Sequence, residues 1–413
     1  MSSRRIVILT TGQPSTNPRM VKEYTSLKEA GYHVKVLYAY WAPWASVTDE
    51  ELFSNGTLDR NDFVMVGGSP QYKKWEYDFS RILFKAARIF TFQLQVFQVW
   101  KWALNRPGLF LAREAIKEKA DLYIAHNLAA LPAALEAACK WNVACGFDAE
   151  DYHLGQLDEA TGKEARLVKK IEDSYIPRCT YISAASPLIG KTYSERLQIK
   201  NIPIINNVFS IQYLQPEPMP YRPGDTLKLF WFSQTVGAGR GLEEVIAAMG
   251  KAKTRNISCT ILGSCSPGMK TYLLSIAASN DVQEQRLRFI EPVLLPEIFR
   301  LSAGHHIGLA TETGMNLNNE IALSNKILSY PLAGLAIVAS DTDAQQLFLE
   351  DHPATGRLYK RGDTTGLAGI FDFFMNNPDR LNEARQNAYD LAKGSLNWEC
   401  EKKVLLETIK RVL

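Results

Sequence analysis

Several common signals are missing from this 413-residue sequence, and each absence excludes a class of protein. None of its six cysteines forms a CxxC pair, which argues against a zinc or disulfide framework and predicts reduced thiols in a cytosolic protein. Lys and Arg outnumber Asp and Glu by only 47 to 44, so the charge balance gives no sign of a nucleic-acid-binding face. No apolar run is long enough to span a membrane, and the opening "MSSRRIVILTTGQ" turns polar too soon for a secretion signal.

Strand-like and helix-like segments alternate through most of the chain. The first strand, "RRIVILTTG", leads into a helix that Pro18 can begin and Gly31 can end. This unit recurs until residues 212–225, where four prolines and a glycine indicate a linker, and then it starts again. The pattern predicts an α/β protein with two Rossmann-like domains facing a cleft. Functional residues are expected in the loops after the carboxyl ends of the strands.

Residues 70–108 interrupt this alternation with a segment rich in aromatic and basic residues. It contains seven Lys and Arg residues against two acidic ones, and Trp75, Trp100 and Trp102 lie near its ends. Basic residues and tryptophans suit contact with anionic lipid headgroups, which predicts peripheral membrane contact. The alternative is a core helical hairpin that covers the sheet, because residues 82–104 are apolar on most sides and show no single polar face.

A glycine-rich loop follows the first strand of the second half, in "FWFSQTVGAGRGLEEVIAAM". Such a loop brings backbone N–H groups and a helix N-terminus close to an anion, and Arg240 would add a permanent charge for a phosphate. The loop is neither a Walker motif nor a GxGxxG fingerprint. A tight turn with a solvent-facing arginine therefore remains the alternative.

Six stretches follow one another along nearly the whole chain: "STNPRMVKEYTSLKEAGYHVKVL", "AHNLAALPAA", "FDAEDYH", "WFSQTVGAGRGLEEVI", "ALSNKILSYPLAGLAIVASD" and "SLNWE". In this order they resemble the retaining GT-B glycosyltransferases of family 4, which use nucleotide-sugar donors. The resemblance implies a metal-independent enzyme without a bound cofactor. The sequence contains "DTD" at 341–343, but its position after a strand of the second half suggests donor contact or a helix cap rather than a metal-binding DxD motif.

The resemblance also implies how the donor is held. A basic residue before the loop glycine binds the diphosphate, which corresponds to Arg240. A second basic residue five positions earlier is replaced by Thr235, and Lys326 could supply that charge. The predicted donor-binding residues are Gly239, Arg240, Glu320, Asn325, Lys326 and Ser329.

Two alignments of the paired glutamates of the family compete in this sequence. Glu312 and Glu320 have the family separation, with the first beside the reacting sugar and the second on the ribose. Counting back from Gly334, however, puts Ser329 at the ribose position. In that alignment Glu312 keeps its sugar-side role and Glu320 is a loop charge.

The first half should then bind the acceptor. His126 ends a strand and matches a family position next to the reacting sugar, which predicts a catalytic role together with Glu312; the alternative is a histidine hydrogen-bonded at a strand end. Asn17 lies at the first strand-to-helix crossing, where it could instead cap the helix. The predicted acceptor-binding residues are Asn17, Arg19, Asp148, Asp151 and His153.

The predicted domains are an acceptor domain at 1–211, a nucleotide-sugar domain at 212–394 and a C-terminal helix at 395–413 that returns to the first domain. The predicted function is transfer of a sugar from a nucleotide diphosphate to a saccharide or lipid-linked acceptor. It would serve surface polysaccharide or glycan assembly in the cytoplasm, at the inner face of the membrane. The alternatives are a non-catalytic sugar-nucleotide or glycan-binding subunit, and a GT-B sugar-nucleotide epimerase or hydrolase.

Overall fold

A computed structural model describes residues 4–94, 99–157 and 162–413 of the chain. Residue contacts divide it into two compact units, the first made of Met1–Asn206 with Lys402–Leu413 and the second of Asn207–Glu401. No helix among the described residues has the length and apolar character needed to cross a membrane.

The first unit is built on a six-stranded parallel sheet in the order β3-β2-β1-β4-β5-β6. Its strands are β1 (Arg5–Thr10), β2 (His33–Ala39), β3 (Phe63–Val66), β4 (Leu122–His126), β5 (Ala144–Ala149) and β6 (Tyr181–Ala184). Its helices are α1 (Pro18–Glu29), α2 (Pro43–Ser54), α3 (Lys74–Phe92), α4 (Gly108–Lys117), α5 (Leu131–Trp141), α6 (Lys163–Tyr175) and α7 (Pro187–Leu197). The strand order reverses between β1 and β4, and ligands of open α/β sheets bind at such a point.

The second unit repeats this topology in the order β12-β11-β10-β7-β8-β9. Its strands are β7 (Leu227–Thr235), β8 (Ile257–Ser264), β9 (Leu287–Ile290), β10 (Ile307–Ala310), β11 (Ala336–Ser340) and β12 (Gly356–Tyr359). Its helices are α8 (Leu242–Lys251), α9 (Pro267–Ser279), α10 (Leu295–Ser302), α11 (Leu317–Ile321), α12 (Asn325–Ser329), α13 (Asp343–Asp351), α14 (Thr364–Asn376) and α15 (Pro378–Gly394). Here the order reverses between β7 and β10, so these two strands position the second candidate site.

The last helix, α16 (Trp398–Val412), begins in the second unit, and its residues from Lys402 onward group with the first. Lys402 forms an ion pair with Glu29 at the end of α1.

Local sequence explains how the elements begin and what they bury. The Asn17 side chain accepts a hydrogen bond from the backbone of Met20 at 2.9 Å, which caps α1, and Pro18 occupies its first position. Most apolar strand residues are buried on both faces of each sheet, as a parallel sheet covered by helices requires. In the second unit this core is made by residues such as Leu229, Ile261 and Leu309.

In the residues that the structure describes, the aromatic and basic segment does not form the core helical hairpin that the sequence left as an alternative. It forms α3 and a short helical turn at Trp100–Ala103, while residues 95–98, with Gln95 and Gln98, lie outside the described part. Large apolar side chains of α3, including Trp75 and Ile82, are exposed, because only one side of the helix packs on the unit.

Candidate active site

Strand register gathers polar side chains at the carboxyl edge of the first sheet. Thr10 at the end of β1 pairs with His126 of β4, His126 pairs with Asp148 of β5, and Asp148 pairs with Ser183 of β6. Because β4 and β5 pair in this register, His126 and Asp148 lie side by side, and each is one of the last two residues of its strand.

Arg19 and Asp148 form a buried, bidentate ion pair at this edge. Arg19 Nε and Nη2 donate to the two Asp148 carboxylate oxygens at 2.6 and 2.8 Å. Arg19 Nη1 donates to the Ile205 carbonyl at 2.5 Å, and Ser183 Oγ donates to Asp148 at 2.7 Å. Burial alone would raise the pKa of Asp148, but the Arg19 charge and hydrogen bonds outweigh it and hold that pKa at about 2.

His126 is fully buried, and both of its ring nitrogens contact carboxylates. Nε2 lies 2.8 Å from Glu23, and Nδ1 lies 2.8 Å from Glu150 and 3.4 Å from Asp148. Burial alone would lower the pKa of His126. The Glu23 charge, the hydrogen bonds to Glu150 and Glu23, and the Asp148 charge outweigh it and raise the pKa to about 10. The ring is therefore an imidazolium at neutral pH.

The predicted catalytic and acceptor-binding residues of this cluster are thus satisfied by one another. His126 presents no free nitrogen, Arg19 and Asp148 are buried against each other, and Asn17 donates to Glu150 at 2.6 Å. Sequence analysis missed Glu23. Its spacing of four residues from Arg19 on α1, which puts both charges on one helix face, is the signal that could have revealed it.

Glu23, His126 and Asp148 are also the one group among the described residues whose atoms could surround a metal ion, lying within 4.8 Å of one another. The donor set does not suit a cation, because the imidazolium and Arg19 already neutralise these carboxylates. His126 could bind a metal ion only as a neutral imidazole, whereas here it is an imidazolium.

Asp151 and His153 make contacts apart from the Arg19 cluster. The Asp151 carbonyl accepts from the Tyr193 hydroxyl at 3.3 Å, and the His153 ring packs near Phe147 with a centroid distance of 6.4 Å. His153 Nε2 is buried and has no hydrogen-bond partner in the described part of the chain. Neither residue takes part in the hydrogen bonds that join Arg19 and Asp148.

The glycine loop of the second unit follows β7 and is fixed by threonines after β10. Thr311 Oγ1 donates to the Arg240 carbonyl at 2.7 Å, and Thr313 Oγ1 donates to the Gly239 carbonyl at 2.9 Å. Gly241 has a φ of 77°, and a Cβ there would lie 2.6 Å from the Thr311 carbonyl oxygen, so the turn into α8 requires glycine.

Arg240 extends from this loop into solvent. Its Nη1 donates to Ser233 Oγ at 2.9 Å, and no carboxylate pairs with it among the described residues. Thr235, at the end of β7, is also exposed. An exposed guanidinium beside the N-terminus of α8 is well placed to bind an anion.

Glu312 and Lys326 form a partly buried ion pair near this loop. Lys326 Nζ lies 2.5 Å from Glu312 Oε1, which also accepts from Ser324 Oγ at 2.8 Å. Burial would raise the pKa of Glu312, but Lys326, Ser324 and the Arg240 charge outweigh it and lower that pKa. Lys326 is therefore neutralised by Glu312 rather than free to supply the charge missing at Thr235.

The remaining donor residues differ in how they are held. Glu320 lies in α11 and forms an ion pair with Arg361, whose Nε also donates to Asp341 at 2.8 Å, so it is not a solvated loop acid. Ser329 is buried and its hydroxyl donates to the Lys326 carbonyl at 2.9 Å, whereas Asn325 is exposed. Arg361 was missed, although it follows the last strand of the sheet, at a position where ligand contacts are expected.

The first unit also contains a cavity of about 310 Å³ at the carboxyl ends of β1 and β2. Its lining residues are Thr11, Tyr40, Trp41, Tyr77, Phe84, Leu104, Asn105 and Arg106. Arg106 donates to Ser80 Oγ and the Gly67 carbonyl, both at 2.6 Å, and pairs with no carboxylate in the described ranges. Burial lowers the pKa of Arg106, and the nearby Arg81 charge acts in the same direction.

Comparisons with known proteins give a fold and no sequence family. No family model matches the chain, and no curated protein matches its sequence. HepE from Anabaena, solved with UDP and glucose, is 14% identical with a TM-score of 0.67, over 99% of this chain and 100% of that one. A glycosyltransferase from Rickettsia africae is 14% identical with a TM-score of 0.70, over 100% and 99% of the two chains. Sucrose-phosphate synthase from Thermosynechococcus elongatus is 13% identical with a TM-score of 0.64, over 99% and 98%.

The fold is that of the GT-B glycosyltransferases. The two parallel six-stranded sheets and the near-complete coverage of these structures confirm the predicted fold class.

Proposed function

We propose that this chain is a glycosyltransferase that uses a nucleotide diphosphate-sugar bound by its second unit. The observation that supports this most is Arg240, an exposed guanidinium without an acidic partner in the described chain, on a glycine loop before α8. HepE, which shares the fold, was solved with UDP and with UDP-glucose. A diphosphate would accept hydrogen bonds from the guanidinium and from N–H groups at the start of α8, where the Glu243 carboxylate now accepts from the Gly239 N–H at 3.0 Å.

In this proposal the protein stabilises the leaving diphosphate by charge. Arg240 and the α8 N-terminus face negative charge that grows as the sugar bond breaks, and preorganised charges of this kind lower the barrier. Glu312 accepts hydrogen bonds from sugar hydroxyls, and Lys326 keeps that carboxylate ionised. Transfer would be retaining and independent of metal, as in the family 4 enzymes that the sequence resembles, with the departing phosphate accepting the proton of the acceptor.

The ribose contact is assigned to the group around Arg361. Glu320 and Asp341 are both held by this guanidinium, so their remaining oxygen lone pairs have fixed directions. Ser329 is buried and already bonded, which makes it the weaker candidate. Asn325 and Gly239, which are exposed, complete the proposed donor site.

The acceptor is assigned to the cavity of the first unit. Its aromatic walls suit the apolar faces of a sugar ring, and Arg106 can bind an anionic group because no carboxylate among the described residues neutralises it. The Arg19 cluster, with His126 and Asp148, acts as a buried charged support for the strand ends rather than as a direct contact. A saccharide or lipid-linked acceptor fits this cavity. The described cysteines are free thiols, which agrees with the proposed cytoplasmic location of glycan assembly.

Calorimetric titration with UDP and GDP tests the donor site. Arg240→Ala should weaken diphosphate binding by about 1.5–3 kcal/mol, the contribution of a charge-assisted hydrogen bond. Arg288→Ala, which removes another exposed arginine of the second unit, is the matched control and should bind normally. Equal affinities in wild type and Arg240→Ala would contradict the assignment.

A second candidate is a non-catalytic sugar-nucleotide-binding subunit. The observation in its favour is that Lys326 is paired with Glu312 and is therefore not free to act as a second cation for the diphosphate. Release of UDP from UDP-sugars, measured with and without a saccharide acceptor, separates the possibilities. Acceptor-dependent release supports transfer, binding without release supports the subunit, and conversion without an acceptor supports an epimerase or hydrolase.

A further inference from the structure

Helix α3 has an exposed apolar stripe on the side that faces away from its own unit. Its buried side is marked by Ser80 and Ala87. On the opposite side, apolar side chains recur three, four or seven residues apart, the spacing that places them on one helix face. They are Trp75, Phe79, Ile82 and Ile89, with Phe90 beside them and Leu94 after the helix end.

The stripe continues onto the segment that begins α2. Trp41 and Trp44 are 66% and 53% exposed, and Val47 follows one turn later. Trp41 lines the same cavity as Tyr77 and Phe84 of α3, so the two groups of side chains adjoin. Soluble monomers rarely leave so many large apolar side chains together on one surface.

Basic side chains flank this stripe on one edge of α3. Lys74, Arg81, Lys85 and Arg88 recur at helical spacing, against Glu76 and Asp78 in the same helix. Arg88 pairs with Glu164, whereas Lys74 and Lys85 make no ion pair in the described part of the chain. Lysine stems can lie along an apolar surface while their charges reach anionic headgroups.

We propose that the first unit docks on an anionic lipid surface through this stripe, with Trp41 and Trp44 inserted at the interface and the basic edge on the headgroups. A second copy of the chain suits the surface less well, because a symmetric pairing would bring the basic edges into the same interface. Docking would place the aromatic cavity beside the lipid, where a lipid-linked acceptor is confined; that extension alone rests on the proposed function.

Flotation with lipid vesicles tests the proposal on the full chain. Wild type should float with phosphatidylcholine–phosphatidylglycerol vesicles at low salt, much less at about 0.15 M salt, and not with phosphatidylcholine alone. Ile82→Ser with Ile89→Ser should reduce binding at least about tenfold, since both side chains lose their insertion. Lys74→Gln with Lys85→Gln should reduce binding and weaken its salt dependence.

Matched controls remove equally exposed groups elsewhere. Met219→Ser with Leu294→Ser removes apolar side chains of the second unit, and Lys393→Gln with Lys403→Gln removes exposed lysines outside the stripe. Both controls should float like wild type, and all variants should keep the wild-type melting temperature.

Wild type that stays unbound at low salt, or stripe variants that float normally, would overturn the proposal. A dimer in solution that the Ile82→Ser, Ile89→Ser variant abolishes would overturn it in favour of a second copy. UDP binding should be unchanged in the stripe variants, so this test is separate from that of the donor site.

Discussion

The two units share one sheet order, but the Arg19 cluster of the first and Arg240 of the second differ in how their charge is compensated. In the first unit, Arg19, His126 and Asp148 are buried at the strand ends and satisfy one another. In the second unit, Arg240 is exposed and has no ion-pair partner within the described residues. A polar residue after a parallel strand is therefore not by itself a ligand contact. What distinguishes the two sites is whether the charge is already compensated inside the protein.

The strongest test of this contrast is to remove one partner of the buried ion pair. Asp148→Asn leaves the Arg19 charge buried without its carboxylate, and we expect the free energy of unfolding to fall by about 3–5 kcal/mol. Chemical unfolding followed by circular dichroism measures this. Glu50→Gln, which breaks the exposed pair with Arg60, should have little effect. An Asp148→Asn protein as stable as wild type would show that the pair is not a structural support.

Raising the pH should weaken the first unit through His126. Folding raises the pKa of this imidazole from 6.5 to about 10, so its stabilisation is complete below about pH 6.5 and disappears as the pH rises through about 10. Within that window the free energy of unfolding should fall by up to about 1.4 kcal/mol per pH unit. His126→Gln should lack this part of the slope. Identical slopes in the two proteins would mean that His126 is neutral in the folded state.

The shape of the glycine loop can be tested separately from its charge. Gly241→Ala places a Cβ against Thr311 at a positive φ, and we expect a loss of about 1–3 kcal/mol of stability. Gly224→Ala is the matched control, since its φ is also positive but nothing lies near the added Cβ. Thermal unfolding should show a smaller loss for the control. Equal losses would mean that contact with Thr311 does not fix the turn.

The Arg361 group should show the smallest effect. Glu320→Gln removes the charge of one carboxylate while Asp341 still holds the guanidinium, so we expect less than about 1 kcal/mol of destabilisation. Thermal unfolding at low salt gives the change, with Glu383→Gln, a neighbour of Arg380, as an exposed control. A loss of several kcal/mol would mean that the two carboxylates support Arg361 jointly.

Sequence periodicity was enough to predict the two parallel α/β sheets, because buried strands and their glycine and proline boundaries are local features. It also located the strand ends at which His126, Asp148 and Arg240 lie. It could not show that Glu23 closes the His126 cluster or that Arg361 holds Glu320, since these pairs join residues 103 and 41 positions apart. For the segment at 70–108, sequence left membrane contact and a buried hairpin both open. An apolar helix looks the same in sequence whether its partner is the sheet or a surface outside the chain.

Hydrogen–deuterium exchange with and without UDP tests the contrast between the two units most directly. We predict slower exchange on adding UDP in the glycine loop at 236–243 and in residues 312–326. The backbone near Arg19, His126 and Asp148 should already exchange slowly and should not change, because its charges are compensated. Protection confined to the first-unit cluster, or no protection in the glycine loop at saturating UDP, would contradict the assignment of the donor site to the second unit.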